Sequence, residues 1–222
     1  NHTDEELYGL LRRAQERDIQ VQIHVIGDRA IEQALRIVEK VTEELGAPKR
    51  PYRFNHSTYC PESLMVRMKK LGIVVDAQPV QPFRNRFMAP ARLGRERLPF
   101  SYAYRKFVDH GILVTGSSDG PIEDLNPWAG IWAAVNRTDE KGISMSYSPP
   151  DDRLNLEEAL RMYTTHPWIA LGRGNELGKI RPGFRADFTV LEGNPFEMPQ
   201  FELKNVRHRE TFVDGCRVWS RE

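Results

Sequence analysis

Short apolar segments alternate with helical segments through the first half of the chain. Four apolar runs have the length and composition of buried strands; they lie at residues 21–27, 52–57, 73–77 and 112–116. Apolar residues at helical spacing fill the segments before and between them, at residues 4–17, 28–45, 61–71 and 102–109. This alternation predicts an α/β fold with a parallel sheet whose crossover helices lie on its outer face. Both an open doubly wound sheet and part of a closed barrel satisfy it.

A long irregular segment interrupts this alternation after the third strand. Residues 78–99 hold four prolines and five arginines with little periodicity, which predicts a long functional loop. Further helices are predicted near residues 128–136 and at residues 156–164, and a polar loop at residues 138–152 lies between them. We expect substrate specificity to depend on these two loops.

The last fifth of the chain has a different character. Beyond residue 175, short β segments alternate with turns, and Asp214-Gly215 is a typical hairpin signal. We therefore expect two units, an α/β unit at residues 1–174 and a small β subdomain at residues 175–222.

Charge and cysteine content restrict the class of protein. The 32 basic residues are balanced by 31 acidic ones, and no long run of either sign predicts a surface for nucleic acid or anionic lipid. A small-molecule substrate is the expected partner. No apolar run approaches the roughly 18 residues of a membrane span. Cys60 and Cys216 lie outside any CxxC pattern, which argues against a disulfide framework or a thiolate zinc site.

The first residues of the chain predict that an upstream region is missing. The sequence opens with Asn1 rather than Met, enters a helical pattern at once and shows no signal sequence. A cytoplasmic location is therefore only the default expectation.

Three polar side chains lie late in predicted strands. His24, His56 and Asp119 each precede a loop or a helix, which is where parallel α/β folds build ligand sites. Strand parity places His24 on the inner face, opposite the apolar residues that meet the helices, and places Asp119 at the end of an increasingly polar face. Imidazole nitrogens and a carboxylate suit Zn²⁺ or a similar divalent ion, which lowers the pKa of bound water. Asp119 could then accept the proton.

Each of these residues also has a structural interpretation. A histidine in a strand is commonly a hydrogen-bonded structural residue, and Asp119 could cap the following turn. Asp28 fits the first turn of a helix, where it complements the helix dipole. The arginines of residues 78–99 form either a solvated face or substrate contacts. The remaining histidines are expected to be structural or exposed: His2, His110, His166 and His208.

Several phrases of the sequence together carry a family resemblance. They are His24-Val25-Ile26-Gly27-Asp28-Arg29-Ala30, Asn55-His56, Asp76-Ala77-Gln78-Pro79, Gly116-Ser117-Ser118-Asp119-Gly120-Pro121, Glu157-Glu158-Ala159-Leu160 through Thr164-Thr165, Leu177-Gly178-Lys179-Ile180-Arg181-Pro182-Gly183-Phe184-Arg185-Ala186-Asp187-Phe188, and Thr211-Phe212-Val213-Asp214-Gly215. As an ordered set that spans nearly the whole chain, they resemble the amidohydrolase superfamily, specifically its family-3 branch of metal-dependent hydrolases.

The resemblance implies the C-terminal half of a (β/α)₈ TIM-type barrel, strands five to eight, followed by the small β subdomain. His24 would lie on the fifth strand, His56 on the sixth and Asp119 on the eighth. In similar enzymes the histidines bind one or two divalent metals, and the aspartate binds metal and shuttles a proton. Zinc is the default ion, and iron or manganese would suit the same ligands. The implied reaction is hydrolysis of a nonpeptide carbon–nitrogen bond in an amide, formamide or cyclic amide.

The resemblance also implies that the site is incomplete in this chain. The family's His-x-His pair on the first strand and its lysine on the fourth have no counterpart here and are expected upstream of Asn1. Half a barrel leaves strand edges unpaired, so we expect a homo-oligomer or association with the missing N-terminal half. Two alternatives stay open, a noncatalytic binding or regulatory module on the same fold and a deaminase of a nucleobase-like ring.

Overall fold

The first sheet of the protein is parallel and follows the order of the sequence. In a computed structural model, residues 2–139, 141–142 and 152–221 are described. The strands pair in the order β1-β2-β3-β4, and every pairing is parallel. Their bounds are β1 Gln22–Val25, β2 Arg53–His56, β3 Val74–Ala77 and β4 Val114–Gly116. The predicted α/β fold with a parallel sheet is therefore confirmed.

Amphipathic helices cover one face of this sheet. The helices are α1 Asp4–Glu16, α2 Asp28–Leu45, α3 Glu62–Lys70 and α6 Tyr104–Asp109. One row of the sheet, Ile23, Phe54, Val75 and Val114, joins the core that the helices bury. Burial of this row is what the strand alternation predicts, because every second side chain of a strand faces the same layer.

The segment after β3 contains short helices rather than one irregular loop. It holds α4 Gln81–Arg84, α5 Met88–Leu93 and a 3₁₀ helix at Leu98–Phe100. The prediction of a loop at residues 78–99 was wrong in this respect. Each helix is at most six residues long, so none displays a hydrophobic period, and Pro82 sits in the first turn of α4, where a missing N–H costs nothing.

Three further helices follow β4 in the described part of the α/β unit. These are α7 Pro127–Asn136, α8 Leu156–Tyr163 and α9 Thr165–Ala170. All but two of the ten residues of α7 are buried, which explains its weak amphipathic pattern. Most of the expected polar loop at residues 138–152 lies outside the described residues. Its two ends are joined by a buried ion pair in which Arg137 Nη2 lies 2.8 Å from Asp152 Oδ2.

A small antiparallel sheet ends the chain. Its strands are β5 Phe188–Leu191, β6 His208–Val213 and β7 Cys216–Ser220, in the order β5-β6-β7, and a 3₁₀ helix lies at Gln200–Asn205. Asp214 and Gly215 both have positive φ, 54° and 78°, as the predicted two-residue hairpin requires. Two indole N–H groups of α7 connect this region to the α/β unit: Trp128 Nε1 donates to His208 Nε2 (2.9 Å) and Trp132 Nε1 donates to the Phe201 carbonyl (3.0 Å).

Within the residues described, no helix is both long enough and apolar enough to cross a membrane. Cys60 is buried and Cys216 exposed, and both are free thiols.

Candidate functional site

Two of the three predicted site residues meet at the carboxyl edge of the parallel sheet. His24 lies on β1 and His56 ends β2, and His24 Nδ1 is 3.1 Å from His56 Nε2. The rings meet edge to face, with centroids 4.6 Å apart and an interplanar angle of 75°. His24 is exposed on the face of the sheet opposite the helices, whereas His56 is buried.

An unusual backbone conformation brings His56 into this position. His56 pairs with Val25, which is buried on the helix-covered face, so simple alternation would turn His56 toward the helices as well. His56 has a φ of +73° and Ser57 a φ of +50°. A left-handed residue that is not glycine costs about 1–2 kcal/mol. This conformation interrupts the alternation at the strand end, where the His56 side chain contacts His24.

A glutamine holds the other nitrogen of the His56 ring. His56 Nδ1 lies 2.9 Å from Gln78 Oε1, and Gln78 Nε2 donates to the Asp76 carbonyl and to Ser117 Oγ, both at 2.9 Å. Sequence reasoning placed Gln78 in a family-like phrase and at the start of the predicted loop, and missed this contact. The available signal was its place directly after β3, the strand next to the one that carries His56.

Asp119 lies beyond the sheet rather than on it. Strand β4 ends at Gly116, and Asp119 is exposed with a φ of +56°. The expected strand parity of Asp119 was therefore wrong, because the alternation stops three residues earlier. Its Oδ2 accepts a hydrogen bond from Gln81 Nε2 on α4 at 3.1 Å. The Asp119 carbonyl also accepts from the Ile122 N–H at 2.9 Å, which closes a turn.

The histidine pair fits a divalent ion, although the third ligand is not gathered with it. Two imidazole nitrogens that share a tetrahedral zinc ion with bonds of about 2.0–2.1 Å lie roughly 3.3–3.4 Å apart, close to the 3.1 Å found here. Beside His24 in the sheet register, Asn55 has a buried Oδ1 without a hydrogen-bond partner in the described part of the chain. Among residues 2–139, 141–142 and 152–221, no three His, Cys, Asp or Glu side chains converge to hold an ion. The roles of His24, His56 and Asp119 remain predictions.

A largely buried ion pair lies beside the site on the polar face of the sheet. Arg53 reaches Asp76 through two nitrogens, with Nη2 to Oδ1 at 2.8 Å and Nε to Oδ2 at 3.0 Å. Thr115 Oγ1 also donates to Asp76 Oδ1. These contacts join β2, β3 and β4 across the face that carries His24. Both oxygens of Asp76 accept hydrogen bonds from neighbouring strands, so the orientation of this carboxylate is fixed.

The other polar residues considered in the sequence have contacts of their own. Among the arginines, the exposed Arg84 pairs with the buried Glu123 at 2.6 Å, and Arg86 pairs with Asp139 at 3.3 Å. His166 Nδ1 lies 2.8 Å from the Val114 carbonyl. Burial lowers the pKa of His166, and the hydrogen bond to Val114 opposes that shift. Burial raises the pKa of the Cys60 thiol to about 12, so Cys60 is not a reactive thiolate near neutral pH.

Known proteins resemble this chain along nearly its whole length. The protein named amidohydrolase YtcJ from Bacillus subtilis (strain 168) is 33% identical over 223 residues, which cover 99% of this chain and 41% of YtcJ. An N-substituted formamide deformylase from Arthrobacter pascens is 32% identical over 222 residues, covering 99% of this chain and 40% of the enzyme. The crystal structure of an uncharacterized metal-dependent hydrolase from Pyrococcus horikoshii OT3 matches with a TM-score of 0.78 at 26% identity. That match covers 90% of this chain and 39% of the hydrolase.

The extent of these matches places the chain in one family. It spans about two-fifths of the length of the two curated relatives. The sequence profile of the amidohydrolase family matches residues 1–219. The chain therefore belongs to the amidohydrolase family.

Proposed function

We propose that this chain supplies part of the active site of a metal-dependent hydrolase that cleaves nonpeptide carbon–nitrogen bonds in amides, formamides or cyclic amides. The observation that carries the proposal is the His24–His56 pair, whose facing nitrogens are 3.1 Å apart at the carboxyl edge of a parallel sheet. Similarity to a formamide deformylase supports the substrate class.

The residues of the chain divide the chemistry between them. His24 and His56 hold the ion, with zinc as the default and iron or manganese suited to the same donors. The ion, when bound, would supply a positive charge that lowers the pKa of water toward neutrality. Asp119 accepts a proton from the attacking water and passes it to the leaving nitrogen, acting first as a general base and then as a general acid. The hydrogen bond from Gln81 orients the Asp119 carboxylate for this transfer.

The same proposal assigns the parallel sheet to strands five to eight of a (β/α)₈ barrel within residues 1–174, followed by the β subdomain at residues 175–222. Two observations support it. β1 and β4 each have one neighbouring strand in the described part of the chain, so each presents an open edge. Gln22 and His24 lie exposed on the face that a closed barrel would enclose. We infer that an N-terminal barrel segment or a second copy of the chain covers these edges and that an N-terminal segment adds further metal ligands.

Metal content and association state are the first tests of the proposal. The purified chain, and any longer protein in which it occurs, are analysed for zinc, iron and manganese, beside His24→Ala/His56→Ala and the control His110→Ala, whose ring lies near Glu62 instead. We expect bound metal to fall in the double variant and to stay in the control. Sedimentation of the same samples tests association, and a monodisperse monomer of the chain would argue against it.

Substrate assays separate the alternatives. Hydrolysis is measured for an N-substituted formamide, a simple amide, a cyclic amide and an aminopyrimidine, with the same proteins and with their Asp119→Asn variants. Metal-dependent turnover of a formamide or amide that Asp119→Asn abolishes supports the proposal. Turnover confined to the aminopyrimidine would indicate a deaminase, and bound metal without turnover of any compound would indicate a binding module.

A further inference from the structure

We propose that Gln78 is a positioning residue, which keeps the proton of the His56 ring on Nδ1 and so leaves Nε2 as the only donor atom for a metal. Only the role of Nε2 toward a metal rests on the proposed function. The location of the proton is a property of the chain itself and can be measured without metal.

The surroundings of Gln78 fix the orientation of its side-chain amide. Nε2 lies 2.9 Å from the Asp76 carbonyl, which can only accept. Its second proton is directed at Ser117 Oγ, also at 2.9 Å, whose own hydroxyl is directed at the Ala77 carbonyl at 3.3 Å. If the amide were reversed, Oε1 would face the Asp76 carbonyl, acceptor against acceptor. Oε1 is therefore the atom that faces His56.

This orientation determines the state of the His56 ring. Gln78 Oε1 can only accept, so at 2.9 Å His56 Nδ1 has to donate. A neutral imidazole carries one proton, so Nε2 then presents a lone pair toward His24 Nδ1. Both Gln78 and His56 are less than a tenth exposed, at 4% and 7%. Water therefore cannot easily take the place of the amide as the acceptor.

The backbone of Gln78 is held as firmly as its side chain. Tyr104, a buried residue of α6, donates its hydroxyl to the Gln78 carbonyl at 3.1 Å. Tyr104 thus holds the backbone of Gln78, and Asp76 and Ser117 hold its side-chain amide. None of these contacts involves His24. The correct tautomer is set before any ion arrives, as for metal-binding histidines whose second nitrogen is hydrogen-bonded.

The test is nitrogen-15 NMR of the two imidazoles in the metal-free chain, in mildly alkaline solution, followed by zinc titration. We compare the natural chain with Gln78→Leu, which removes the acceptor, and with the control Gln33→Leu. Gln33 contacts His2 and Asp4 rather than the site. We expect the His56 proton on Nδ1 in the natural chain and in the control. In Gln78→Leu we expect a mixture of tautomers and a zinc affinity about 10- to 100-fold lower.

Each outcome bears on one of the two proposals. A His56 proton on Nε2 in the natural chain would overturn the inference, and this spectrum decides even if Gln78→Leu does not fold. An unchanged tautomer in folded Gln78→Leu would overturn it as well, whether or not zinc binds. Conversely, the expected tautomers without zinc binding to any sample would support the role of Gln78 and count against metal binding by this chain.

Discussion

The same substitution, glycine to alanine within a helix, is expected to have opposite effects at two positions of this chain. Gly9 lies inside α1 and Gly130 inside α7. In a helix interior, alanine is normally more stable than glycine by about 0.5–1 kcal/mol, because it restricts the unfolded backbone. At Gly9 the new Cβ would meet only the end of the flexible Arg13 side chain, at 3.3 Å. We expect Gly9→Ala to raise the free energy of unfolding by that amount.

At Gly130 the new methyl group has no room. A Cβ there would overlap the hydroxyl of Tyr163 and lie 2.7 Å from its Cζ atom. The tyrosine ring cannot withdraw toward the sheet, because it already fills the space above Gly116 of β4. Overpacking of this kind costs about 1–3 kcal/mol, and enclosure on both sides favours the upper end. After the helix gain of about 1 kcal/mol, Gly130→Ala should lose about 2 kcal/mol.

The free energy of unfolding of both variants is measured by urea denaturation, followed by tryptophan fluorescence. The dependence of this free energy on urea concentration should be equal in all chains, because it scales with the surface exposed on unfolding. Addition of Tyr163→Phe to Gly130→Ala removes the overlapping hydroxyl and should recover part of the loss. The reasoning would be refuted if Gly130→Ala were as stable as the natural chain or more stable.

Two further predictions concern charge inside the fold. Asp76→Ala leaves the mostly buried Arg53 without its carboxylate and should cost about 3–5 kcal/mol in urea unfolding; a loss below about 1 kcal/mol would contradict that account. Because burial lowers the pKa of His166 below its ordinary value near 6.5, the unfolded chain binds more protons just below that pH. Stability should therefore rise as pH increases toward about 6.5. The rise in urea midpoint should be shallower in His166→Gln, and equal slopes in both chains would exclude His166 as its source.

The sequence predicts the sheet well because its signals are local. The apolar runs and the helical spacing between them predict every strand of the parallel sheet to within a few residues, and the Asp214-Gly215 turn predicts the final hairpin. The single-turn helices α4 and α5 escape this reasoning. They are too short to show a helical period of apolar residues. Their side chains also contact residues distant in sequence, as Gln81 contacts Asp119.

The geometry of the site is predictable only in part. That His24 and His56 lie at the same edge of the sheet follows from their places at the ends of successive strands. The left-handed conformation at His56 does not follow, because non-glycine residues rarely adopt it and no sequence signal marks it. The contact with Gln78 requires the register between β2 and β3, which single-sequence reasoning does not supply. The parity expected for Asp119 assumed a longer strand than the one that forms.

The two indole hydrogen bonds between α7 and the C-terminal region have a consequence for sequence change. Trp128 and Trp132 are buried, and their N–H groups are satisfied by His208 and by the Phe201 carbonyl. A buried N–H that loses its acceptor is costly, so replacing His208 while Trp128 is kept carries a penalty. The acceptor of Trp132 is a main-chain carbonyl, which a substitution at Phe201 leaves in place. Trp128 and His208 should therefore vary together during divergence, retained as a pair or replaced as a pair, whereas Trp132 constrains the path of the backbone at Phe201 and not the identity of that residue.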